Sequence, residues 1–208
     1  MRGLLPPPAF DFGDSQHLQR LAVEYDRHLL PLALSLLSPV LVMPAGVAIA
    51  YVLRPAGWVA PFGAVMFFIG MIFVVLLDVL ELITIARLAP AFGTAPDFAR
   101  PSILAVGAAV DTAIDVLGYI GHFFSFGLAQ LAFAFAIVAT PGVPNWLGWM
   151  SLAPALVIGW LVPLMVLFGA PVGALTGIAI LFFLVWLIGM AVVLWRWRPL
   201  EAASGVEE

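Results

Sequence analysis

Asp78 and Glu81 lie in the apolar run VVLLDVLELITIARL, and Asp111 and Asp115 in GAAVDTAIDVLGYIGH. A charged side chain at the centre of a membrane helix costs about 2.5–3.5 kcal/mol even on the insertion scale, so a set of acids facing lipid would cost about 10 kcal/mol. Such acids must face inward, pair, hold a ligand or stay protonated. Asp78 and Glu81 are three residues apart, and Asp111 and Asp115 four apart, so each pair shares one helix face. At 1.5 Å per residue, Asp78 lies about 13 Å from Arg87, and Asp111 about 15 Å from Pro101. On antiparallel neighbouring helices, Asp78 and Asp111 are therefore expected at one depth. Glu81 is expected on the cytoplasmic side and Asp115 on the outer side, a ladder of acids across the bilayer. Thr84 would extend it below and His122 above, with Thr112 beside it as a further supporting group. Inside the expected spans no Arg or Lys neutralises the acids, since Arg87 closes the second span. At pH 7 at least two of the four are expected to be protonated or balanced by a bound cation. This is the chemistry of a proton relay, a cation site or a polar ligand pocket. The structural alternative is a set of neutral acids that hydrogen-bond between helices.

Other chemistries lack their residues. The chain has no cysteine and no lysine: its eight cations are all arginine. That excludes disulfides, iron–sulfur clusters, thiolate nucleophiles and lysine Schiff bases. No metal site is expected. His122 follows Asp115 by seven residues, about 10 Å along a helix and too far to share an ion directly. The Glu-x-x-His pairs of bundle di-metal sites do not occur, and His17, His28 and His122 fall at depths that would not sandwich a haem. G-x-S-x-G, H-E-x-x-H and glycine-rich nucleotide loops are also missing. Asp78 and Asp111 formally match an intramembrane aspartyl protease but lack its flanking glycine motif. No cofactor is implied, and the chain reads as something other than an enzyme.

These acids must be positioned by membrane helices. The 208 residues are 64% hydrophobic and only 10% charged, too few charges to cover a soluble surface, and no basic face for nucleic acid is present. The expected fold is all-α: a polytopic transmembrane bundle of six spans, preceded by a short amphipathic surface helix. Residues 1–28 form a cytoplasmic N-terminal segment, in which Asp14 or Ser15 caps a helix with Leu18, Leu21, Tyr25 and Leu29 on one stripe. The transmembrane domain covers 29–198, with spans at about 29–53, 58–86, 101–119, 123–140, 146–168 and 172–195, each near the roughly 20 residues a bilayer requires. Residues 199–208 form a cytoplasmic tail. The ambiguous piece is 101–140, either two spans broken in the glycine-rich Gly118–Gly127 or one span plus a re-entrant or interfacial helix. Arginine placement favours two. Six spans with both termini inside leave only Arg54 outside, whereas five put Arg196 and Arg198 there as well. Gly169, Gly173 and Gly177 give two overlapping GxxxG spacings suited to close helix packing. Trp58, Trp146, Trp149, Trp195 and Trp197 fall at span ends.

The block GVPNWLGWMSLAPALVIGWLVPL (142–164) and the closing FFLVWLIGMAVVLWRWRP (182–199) resemble a group of uncharacterised bacterial six-span membrane proteins. Asp78 matches an Asp those proteins often carry in the second span. The resemblance implies a six-helix integral membrane protein and no catalytic residues. The expected location is a bacterial inner (cytoplasmic) membrane, multi-pass. The expected function is a proton- or cation-linked transporter or channel-like protein using Asp78, Glu81, Asp111 and Asp115. The alternative is an accessory or assembly subunit of a larger membrane complex, with the acids in a structural role. Its expected partners are the lipid bilayer and a second copy or other membrane subunits.

Overall fold

The computed structural model describes residues 11–167 and 173–196. Gly169 and the expected tail 199–208 lie outside the described residues. Helix α1 (Ser15–Ser35) is followed after Leu36 by α2 (Leu37–Val52). Asp14 is its N-cap, accepting the Gln16 amide at 2.9 Å. The interruption at Leu36 follows from Pro39, which cannot donate to Ser35 and whose ring crowds that carbonyl. A single 3₁₀ turn, Arg54–Ala56, leads into α3 (Val59–Thr94). Next come α4 (Arg100–His122), a π-helical stretch Phe123–Leu128 and α5 (Ala129–Ala139). The chain then runs through α6 (Asn145–Pro154), a second π-helical stretch Ala155–Leu161 and α7 (Val162–Leu167). Finally, α8 covers Gly173–Arg196. Among the described residues there is no strand.

Five helical runs are long and apolar enough to cross a membrane: Leu30–Val52, Val59–Thr94, Arg100–Ala139, Asn145–Met165 and Gly177–Arg196. Arg100–Ala139 is one continuous helical run, with no turn in the Gly118–Gly127 stretch where two spans would divide. The glycines that suggested a turn are used instead for close packing: Gly118 faces Leu77, and Gly121 faces Gly70 and Val74. Ser125 donates to the Gly121 carbonyl at 2.7 Å, which draws that acceptor from the i→i−4 ladder and favours the π-helical register there. The second π-helical stretch lies between Pro154 and Pro163, and Pro163 cannot donate to Gly159.

Two apolar cores are stacked along the bundle. One joins Val52, Leu53, Ala60, Phe67, Phe133, Ile137, Leu147, Trp186 and Met190 from α2, α3, α5, α6 and α8. At its outer limit lie the turns at Gly57 and Gly142, both with positive φ (74° and 82°), and the exposed Trp58, Trp146 and Trp195. Such tryptophans mark a membrane interface. The other core joins Phe12, Leu18, Leu21 and Leu32 to Ile85, Ala89 and Phe92, backed by Ile103, Leu104, Val110 and Ile114. It belongs to a cap made by α1, the second half of α3 and the first half of α4. Leu18 and Leu21 of the expected stripe are buried on their own chain, the side chains of Tyr25 and Leu29 lie outside the described residues, and Gln16, Gln19, Arg20, Glu24 and Arg27 face outward. Helix α1 begins at the cap, and α8 ends at the tryptophan-rimmed end beside α2. The described helices thus begin and end at opposite ends of the bundle.

The long helices explain the cap. Helix α3 has 36 residues and the α4–α5 run 40, about 54 and 60 Å at 1.5 Å per residue. A hydrocarbon core is about 30 Å thick, so both helices overrun it at one end.

Candidate functional site

The packing of α3 on α4–α5 fixes the depth of each acid. Gly63 faces Phe133, Gly70 faces Ser125 and Leu77 faces Gly118. Continuing that antiparallel register, Glu81 is level with Asp115 within about 2 Å, and Asp78 lies about 3 Å from the same level. Asp111 is level with Thr84, about 9 Å from Asp78 along the axis. Asp78 and Asp111 therefore do not share a depth. Asp78 stands about 29 Å from Val59, a full hydrocarbon thickness from the tryptophan-rimmed end. The acids form a band beneath the cap, toward one end of the α3–α4 pair, and not a ladder along the length of the two helices.

Each acid has a different environment. The Phe12 amide donates to Asp111 Oδ1 at 3.1 Å and the Gly13 amide to Oδ2 at 2.9 Å. Gly13 also donates to Asp11 Oδ1 at 3.2 Å. Phe12 is buried in the cap core, and its backbone lies directly on Gly107, where a Cβ would collide with the Phe12 carbonyl. Asp111 thus pins the strap 11–14 across α4. Asp115 is exposed, as are Thr112, Tyr119 and His122. The Thr112 hydroxyl is taken up by the Ala108 carbonyl at 3.0 Å, and the His122 ring packs on Phe126 with centroids 5.6 Å apart. Asp78 and Glu81 are half-buried on α3, with no hydrogen bond or ion pair among the described residues. Buried Thr84 donates to Leu80 at 2.7 Å, so its hydroxyl serves its own helix.

Among the described residues no cluster of three or more acidic or histidine side chains could hold a metal. The cavities along α2 and α8, on the polar face of α1, and between α6 and α8 are lined by none of the four acids. Gly177 is exposed with no atom near its Cβ position, so it makes no internal helix contact, and the neighbours of Gly173 lie outside the described residues. Close approach occurs instead where the two π-helical stretches cross, Gly127 against Gly159, where a Cβ on Gly159 would overlap the Gly127 backbone.

Beside that crossing is a polar group that sequence reasoning missed. Buried Ser151 lies 2.6 Å from Gln130 Oε1 and 2.8 Å from the Gln130 carbonyl, its hydroxyl facing both acceptors. Among the described residues, Gln130 Nε2 and the indole Nε1 of buried Trp186 have no hydrogen-bond partner. Trp186 stacks on Phe133 at 6.0 Å, one turn from Gln130. The available signal was Gln130 itself, an amide in the otherwise apolar run GLAQLAFAFAIVA.

No family model, curated protein or solved structure matches the chain.

Proposed function

We propose that the protein is a multi-pass subunit of a cytoplasmic membrane that assembles with a second membrane-embedded helix through the outer face of α4. The observation that carries this reading is the exposed series Thr112, Asp115, Tyr119 and His122, spaced three, four and three residues apart along one helix face. Polar side chains at membrane depth normally face a bundle interior. Here they face outward, and a partner helix relieves the cost of contact with lipid. Among the described residues Arg20, Arg27, Arg87 and Arg100 lie toward the cap, against Arg54 and Arg196 at the other end, an asymmetry that supports a cytoplasmic cap.

A photo-reactive residue at Tyr119 is expected to give one discrete cross-linked adduct in native membranes, lost in Asp115→Ala, with no such adduct from Leu184. Adducts that are equal at both positions would refute the reading. A second reading, a proton- or cation-linked transporter or channel, is favoured by the unpartnered, half-buried Asp78 and Glu81. It requires proteoliposome flux that Asp78→Asn or Glu81→Gln abolishes; the assembly reading expects flux no greater than that of empty vesicles.

A further inference from the structure

Near the tryptophan-rimmed end, α2, α3 and α8 wall an open groove of about 850 Å³. Its lining includes Val40, Val47, Ala48, Tyr51, Phe68 and Leu194. From Val40 to Tyr51 it follows α2 for about 16 Å, half of a hydrocarbon core about 30 Å thick. The groove therefore reaches through one leaflet and no further, too short for a helix that spans the membrane. Its open end carries positive charge. The Arg54 guanidinium lies 4.6 Å over the ring of groove-lining Tyr51, and Arg196 closes α8 two residues beyond groove-lining Leu194. Both arginines are exposed. An apolar slot of leaflet depth with the Arg54 guanidinium at its mouth and Arg196 near the same depth matches an amphiphile with an acyl chain and a phosphate, because arginine grips phosphate oxygens through paired N–H donors.

We infer that this groove binds an anionic phospholipid of the leaflet at the tryptophan-rimmed end, its chain along α2 and its phosphate held by Arg54 and Arg196. The site is separate from the α4 face and does not depend on the assembly reading.

Native mass spectrometry of the full chain in mild detergent tests it, with phosphatidylglycerol and phosphatidylcholine of matched chains as probes. Phosphatidylglycerol should be retained about tenfold more tightly. The double variant Arg54→Gln/Arg196→Gln should lose that preference. Val47→Trp, which fills the groove from an exposed position, should lose the bound lipid, whereas Val65→Trp, exposed on α3 outside the groove, should keep it. Circular dichroism confirms that each variant is folded. Equal retention of the two lipids by the native chain would overturn the site. So would a preference that survives the double substitution, an adduct unaffected by Val47→Trp, or equally tight binding of glycerol phosphate without a chain.

Discussion

Asp111 has the most completely defined role of any ionisable side chain here. Both its carboxylate oxygens accept backbone amides of the strap 11–14, and the strap lies close because residue 107 is glycine. Removing the carboxylate takes an acceptor from two partly buried amides, with Gly13 keeping its bond to Asp11, a loss of at most about 1–3 kcal/mol. Asp111→Ala should therefore lower the thermal midpoint in detergent and speed hydrogen exchange at Phe12 and Gly13, with Asp111→Asn in between because it keeps one acceptor oxygen. Unchanged exchange in Asp111→Ala would show that the strap is held by Phe12 burial alone.

The helices owe their positions to small residues at crossings. Where the two π-helical stretches meet, Gly127 and Gly159 bring backbones together, and an added methyl has nowhere to go. Overpacking of this kind costs about 1–3 kcal/mol. Gly159→Ala should accordingly destabilise the bundle, while Gly177→Ala, at an exposed position with open space around it, should stay within about 0.5 kcal/mol of the parent. Thermal unfolding of the two variants side by side decides the matter; equal losses would mean that the crossing is not a close contact in the membrane.

For the whole molecule, the continuous run Arg100–Ala139 separates an arrangement of five crossings from one of six. The native chain has no cysteine, so single cysteines report sidedness without background. Cysteine at Gly57 or Gly142 should react with an impermeant maleimide from one side, and cysteine at Thr94 only from the other. Cysteine at Tyr119, within the region expected to turn, should react from neither side while the membrane is intact. Labelling of Tyr119→Cys from the side that labels Gly142→Cys would restore two spans in this segment.

Composition and periodicity determined by themselves that this is a helical membrane protein. Apolar runs of more than 20 residues with 10% charge overall leave a bilayer as the only solvent that suits them, and hydropathy needs no tertiary information. The face-sharing of Asp78 with Glu81 and of Asp111 with Asp115 was legible for the same local reason. Depth was not. Counting from the nearest arginine assumes that a helix ends where the membrane does, whereas α3 and α4 continue into a cap that only the burial of Phe12, Leu18 and Leu21 against them creates. Nor could spacing distinguish glycines that turn a chain from glycines that admit a neighbour, since both uses exploit the missing side chain. The contacts of Gly118 with Leu77 and of Gly127 with Gly159 made that choice. They placed the acids toward one end of the α3–α4 pair, because the register between two helices is set by what packs across them.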